Sequence, residues 1–258
     1  MARGGTYQAK RAFIQHERGA RSTAQDPLSG TELAHDGNMT SLLIPTRQLL
    51  PIVQEHIRGS IHDLMASLPD VERLSPEDRR GIIARYTAVL EGNFIIWMTA
   101  AYLAVASDEA RSIIRENLLE EVRDNHPGML RRFAIAAHAV PTDSDALAVY
   151  RNLDKVRQFV AQLSPMRLVT MMAFFEGFIT RFMPYLAGLA TRQGSAEQQY
   201  TDVHGVVDVV HTQELFRALQ AEMGLSRDPL PSEENFLEGV ELLRTLIHDI
   251  VGAPHIGE

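Results

Sequence analysis

The chain has 258 residues, of which 45% are hydrophobic, a formal net charge of −8 and no cysteine. That length and composition supply the core of one domain, and the acidic balance argues against a broad surface for nucleic acid or anionic lipid. Without cysteine there are no disulfides, thiolate nucleophiles, iron–sulfur clusters or thiolate zinc sites, so any metal must be held by nitrogen and oxygen.

Residues 1–40 are polar, with no steady apolar period, and are expected to form a flexible arm without a core of its own. No stretch there resembles a signal peptide and no later apolar run reaches the roughly 18 residues needed to cross a bilayer, so the expected location is the cytoplasm. From residue 41 to 258 apolar residues recur at three- and four-residue spacing, which predicts one all-α domain. Ser75-Pro76-Glu77-Asp78 predicts a helix start and a run to about Ala106, and Ser107-Asp108-Glu109 predicts the next start. Pro127 and Pro141 bound a short helix. Thr142-Asp143-Ser144, Ser164-Pro165 and Ser232-Glu233-Glu234 open three more, and another runs from about Glu197 to Met223, giving about seven in all.

Four segments carry chemistry. In Tyr200-Thr-Asp-Val-His204-Gly-Val-Val-Asp208-Val-Val-His211, the two histidines and Asp208 fall within an arc of about 60° on one helix face. Valines surround them, and buried His and Asp are costly unless paired or bound to a metal. A hydrogen-bonded His–Asp–His network is the other reading of that spacing. Glu176 lies among Phe174, Phe175, Phe178 and Ile179, where a buried carboxylate needs a cation, either a metal or an arginine such as Arg181. Glu91 repeats the pattern of an acid followed by glycine within an apolar helix, and close helix packing is an equal account of each glycine. The fourth segment, Glu116-Asn-Leu-Leu-Glu120-Glu121-Val-Arg-Asp-Asn-His126-Pro127, sets two adjacent acids before a histidine. On an unbroken helix Glu121 and His126 would stand about 140° apart, so a shared site requires a break before Pro127.

Together the segments offer Glu91, Glu121, His126, Glu176, His204, Asp208 and His211 as oxygen and nitrogen ligands from several helices, the scheme of carboxylate-bridged diiron sites in bundles. The Glu-x-x-His pairs of the ferritin-like version are missing from the core helices, because Glu32-Leu-Ala-His35 lies in the polar arm. Three histidines without thiolates suit iron or manganese better than calcium or magnesium.

In this order the residues resemble the haem-oxygenase-like diiron oxidases. The match runs from Glu91 through Asn117-Leu118-Leu119-Glu120-Glu121 with His126, then Glu176, to His204-Asp208-His211, over about residues 85–215. The resemblance implies a seven-helix haem-oxygenase-like bundle, two Fe(II) ions, O2 as cosubstrate and an external reductant. It leaves open which of Glu116, Glu120 and Glu121 binds. The reactions it implies are oxidations of a small substrate: an amino acid or its derivative first, by desaturation, C–C cleavage or N-oxygenation, and a fatty acid undergoing oxidative decarboxylation second. Phe94, Trp97, Met172, Phe174, Phe175 and Phe178 are the candidate pocket residues, with Arg181 a candidate for a substrate carboxylate. The expected partners are a small-molecule substrate and an electron donor, with a homodimer as the oligomeric option and neither nucleic acid nor membrane. The competing class is a metal-free helical protein that holds a small ligand by hydrogen bonds.

Overall fold

The computed structural model describes residues 46–225 and 233–252. The arm expected over residues 1–40 and the helix start expected at Ser232 lie outside them. Among the described residues every regular element is a helix: α1 (Thr46–Ser67), α2 (Pro76–Leu90), α3 (Asn93–Ala104), α4 (Asp108–Arg123), α5 (His126–Ala136), α6 (Asp143–Val160), α7 (Pro165–Arg192), α8 (Gln199–Leu225) and α9 (Glu233–Val251). The sequence suggested about seven.

Side-chain caps set several starts. The Asp78 N–H donates to Ser75 Oγ at 3.0 Å while the Ser75 N–H donates back to Asp78 Oδ2 at 3.3 Å, a reciprocal pair that satisfies two orphan donors of α2. Thr142 and Asp145 repeat the device on α6. Ser107 accepts from the Ala110 N–H at the head of α4, and the buried Glu222 carboxylate from α8 accepts the Ser107 N–H at 2.6 Å.

One expectation fails locally. The helix predicted from Pro76 to about Ala106 breaks at Glu91-Gly92, where Glu91 is extended at φ −60°, ψ 104° and Gly92 is left-handed at φ 85°. A Cβ on Gly92 would meet nothing within 4 Å, so this glycine serves the positive φ and not close packing. Gly177 has the opposite reason. A Cβ there would stand 3.0 Å from Ile61 Cδ1 and 3.5 Å from Thr212 Cγ2, so its absence lets α1 and α8 approach α7.

Helix α7 is the central element. It packs along much of α8 and also meets α1, α2, α3 and α9, while α4 lies against α3 and α8. Leu168, Met171, Met172, Phe174, Phe175, Phe178, Ile179, Phe182, Met183, Leu186 and Leu189 are all buried on it. Each such side chain contributes roughly 1.5–3 kcal/mol. That sum exceeds the several kcal/mol needed to desolvate one carboxylate on the same helix, Glu176.

By length and composition the α2–α3 stretch, Pro76–Ala104, is apolar enough to cross a membrane, which corrects the reading that no such run exists. It is interrupted at Glu91-Gly92, and its apolar residues Ile82, Ile83, Val89, Trp97, Met98 and Ala101 are in the core.

Candidate metal centre

Helix α8 carries three of the candidate ligands, spaced so that each turns inward: His204 is 6% exposed, and Asp208 and His211 are 0% exposed. Together with residues of α4, α5 and α7 they form two neighbouring groups able to hold a cation. Glu121, His126 and His204 are one; Glu176, Asp208 and His211 are the other; within each group the ligand atoms lie within 4.8 Å of one another.

The first group depends on the chain break after α4. Asn125 adopts the left-handed conformation at φ 55°, ψ 47°, and α5 restarts at His126 with Pro127 in its first turn. The break brings His126 Nδ1 to 2.7 Å from Glu121 Oε1. His204 Nε2 stands 3.9 Å from the same oxygen. Its other nitrogen, Nδ1, donates to the backbone carbonyl of Tyr200 at 2.9 Å, which leaves Nε2 as the nitrogen facing the site. Burial lowers the His204 pKa to about 4, against the pull of Glu121, so this imidazole is neutral and able to act as a ligand at physiological pH.

The second group is built on α7 and α8, without a break between its members. His211 Nδ1 lies 3.8 Å from Glu176 Oε1 and 3.8 Å from Asp208 Oδ1. Glu176 Oε1, both Asp208 carboxylate oxygens and His211 Nδ1 are buried with no hydrogen-bond partner. Leaving buried carboxylate oxygens unmet is expensive, and an ion among them removes that cost. Burial, reinforced by Glu176 and Glu121, pushes Asp208 well above the usual carboxylate range. Burial alone would lower His211, but Glu120 and Glu176 overcome it and hold it up at about 10. Without a metal this group therefore retains protons that a cation would displace.

The three acids left open on α4 separate cleanly. Glu121 joins His126 and His204; Glu120 sits 3.2 Å from His211 Nε2; Glu116 is exposed beside Arg115. Glu91 is placed elsewhere. The break at Gly92 takes its carboxylate off the interior face, where it is 36% exposed and pairs with Arg131 of α5.

A cavity opens onto both groups and is lined by Glu121, His126, Glu176, His204 and Asp208 together with the apolar Leu90, Phe94, Ile95, Leu130, Phe175 and Ile179. Of the candidate pocket residues, Phe94 and Phe175 line it. Trp97, Met172, Phe174 and Phe178 do not; they are buried in the core around it. Phe175 contacts both Phe94, in a tilted pair, and Trp97, edge-on, with centroids 5.6 and 5.7 Å apart. Arg181 is exposed and does not line the cavity. Its position, five residues after Glu176, turns it toward a different face of α7.

Tyr200 and Tyr86 received no role from the sequence. Their hydroxyls are hydrogen-bonded at 2.8 Å, and burial holds both phenols well above their ordinary range. Tyr200 also lines the cavity, and its ring centroid is 4.3 Å from that of His204. One signal was present in the sequence: Tyr200 stands four residues before His204, on the same helix face.

A comparison with curated protein sequences finds no match. A family model does match, over residues 83–230, more than half of the chain and a span that includes every buried oxygen and nitrogen ligand described above. The chain belongs to the haem-oxygenase-like family of iron-containing redox enzymes.

Proposed function

We propose that this iron-containing redox enzyme is a non-haem diiron oxidase that uses O2 and an external reductant to oxidise a small substrate held in the cavity beside the centre. The observation carrying this reading is the pair of adjacent buried ligand groups facing one cavity, with the Glu176, Asp208 and His211 atoms unpaired. Two Fe(II) ions bound there would supply the electrons and the site for O2 reduction. Glu121, His126 and His204 would hold one ion, and Glu176, Asp208 and His211 the other. Charge supports two dications: the carboxylates of Glu120, Glu121, Glu176 and Asp208 bring four negative charges, which two Fe(II) ions balance when the histidines are neutral. In a metal-free ligand-binding protein the Glu176, Asp208 and His211 group would have to hold protons in place of a cation.

Glu91 belongs to this proposal as a further ligand only if its carboxylate leaves Arg131 and turns inward. A fifth carboxylate would then make the centre net negative. A Glu91→Ala variant that still binds two irons would place it outside the centre.

The cavity wall bears on the substrate. Apart from the ligand side chains and the Tyr200 hydroxyl, its lining is apolar, and no Lys or Arg contributes to it. An amino acid could also set its carboxylate at the metal side, where Arg181 does not reach, but it would need an anion partner for its ammonium group, and the carboxylates lining the cavity are those proposed to hold the irons. A medium-chain fatty acid needs only an apolar wall for its tail, with its carboxylate at the metal side. We therefore place fatty acids ahead of free amino acids as the substrate class. The test is oxygen uptake by Fe(II)-loaded protein, with a chemical reductant, against medium-chain fatty acids and apolar amino acids. Substrate-dependent uptake with the fatty acids is expected; uptake with amino acids alone would reverse the order, and none with any substrate would count against an oxidase.

A further inference from the structure

We propose that Glu120 is the positioning residue of the metal centre: its carboxylate accepts the Nε2 proton of His211 and thereby presents His211 Nδ1 to Glu176 and Asp208. The inference rests on the two-iron reading above and concerns how the protein prepares its ligands.

A neutral imidazole offers one nitrogen as a ligand and carries its proton on the other, and the partner of the protonated nitrogen decides which is which. On α8 the two histidines resolve this choice in opposite ways. His204 donates from Nδ1 to the carbonyl of Tyr200, four residues earlier on its own helix, and turns Nε2 to the site. His211 turns Nδ1 to the site instead, 3.8 Å from Glu176 Oε1 and from Asp208 Oδ1, so its helix supplies no carbonyl partner for that nitrogen. Its outward nitrogen is buried, the residue being 0% exposed, and needs an acceptor from another element. Glu120 Oε2 provides it at 3.2 Å.

The adjacency of the two acids on α4 explains how one helix serves both groups. Successive residues point about 100° apart, so Glu121 faces His126 and His204 while Glu120 faces the outer edge of His211. Their exposures agree with different roles: the Glu120 side chain is 15% exposed and that of Glu121 is 4%. A carboxylate behind a metal-bound histidine also raises the basicity of the nitrogen facing the metal.

The experiment compares Glu120→Gln, Glu120→Ala and Glu176→Ala in the full chain. Gln retains an oxygen acceptor for the Nε2 proton, whereas Ala removes it. Iron is counted by anaerobic Fe(II) titration, and the His211 tautomer is read from nitrogen-15 NMR of the protein loaded with diamagnetic Zn(II). Glu120→Gln is expected to bind two irons with affinity within about tenfold of the parent and to keep the proton on Nε2. Glu120→Ala should weaken one iron by about 10- to 100-fold and lose the single His211 tautomer, while remaining folded. Glu176→Ala should lose that iron outright. Loss of an iron from Glu120→Gln, as in Glu176→Ala, would make Glu120 a ligand and overturn the proposal. Parent-like affinity and tautomer in Glu120→Ala would also overturn it. A parent protein that binds no iron would instead contradict the two-iron reading, so the two failures are distinguishable.

Discussion

The two halves of the centre are assembled by opposite strategies. Glu121, His126 and His204 come together across an interruption of the chain and are largely satisfied by one another and by the backbone: Glu121 holds His126 at 2.7 Å and His204 donates to Tyr200. Glu176, Asp208 and His211 sit on α7 and α8, helices of 28 and 27 residues packed against each other, and keep four buried polar atoms without partners. An ion entering the first half must displace the Glu121–His126 hydrogen bond; one entering the second displaces the protons of Asp208 and His211 but meets four polar atoms that no hydrogen bond engages. The half built on α7 and α8, whose polar atoms lack hydrogen-bond partners, should therefore fill first.

The largest expected effect is in the second half. His211→Ala should abolish tight binding there and weaken the first half as well, because it leaves Glu120, Glu176 and Asp208 without their shared imidazole. Iron per chain should fall below one, with the helical circular dichroism signal retained. His126→Ala should be milder, losing about one iron and most O2 reactivity. Mössbauer spectra of the two variants would sharpen the comparison, since each should retain a different ferrous environment. Two irons held by His126→Ala at parental affinity would make that histidine structural.

The halves should also differ in their response to pH when metal is absent. His211, held at about 10 against an ordinary imidazole value of 6.5, contributes stability that is complete below about pH 6.5 and lost as pH rises through 10. His204, lowered to about 4 from 6.5, contributes stability present above about pH 6.5 and lost as pH falls through 4. Thermal melts of the metal-free protein from pH 4 to 10 should therefore decline at both ends. Glu120→Gln should flatten the alkaline limb alone, and Fe(II) under argon should remove it, because the ion takes the place of the proton.

The smallest effect tests the break at Glu91-Gly92, away from both groups. Gly92→Ala forces a side chain into the left-handed region at a cost of roughly 1–2 kcal/mol. It should lower the melting temperature by a few degrees and leave the iron count unchanged. A lost iron would show that the break positions a ligand after all.

How much of this was legible in the sequence depended on the range of the interaction. Caps at Ser75, Ser107 and Thr142 are local and mark three helix starts with residues only a turn away. The spacing of His204, Asp208 and His211 is also local, and it puts all three on one buried face. The exposed position of Glu91 beside Arg131 has no trace in the spacing, because an apolar helical period continues through it; the left-handed Gly92 turns it out, whereas glycine serves close packing at Gly177. Periodicity separates buried from exposed faces but not core from cavity, so it does not distinguish Trp97, Met172, Phe174 and Phe178, in the core, from Phe94 and Phe175, on the cavity wall. The choice among Glu116, Glu120 and Glu121 depended on how α4 is rotated against α8, a tertiary quantity with no trace in the spacing.

The central claim is that one chain holds two irons in unequal halves. Anaerobic Fe(II) titration of the parent protein, followed by Mössbauer spectroscopy at one and at two equivalents, tests it most directly. The account requires two irons per chain, the first equivalent entering a single environment that His211→Ala abolishes and the second a different one that His126→Ala abolishes. Saturation at one iron, no binding, or a first equivalent that His126→Ala removes would contradict it.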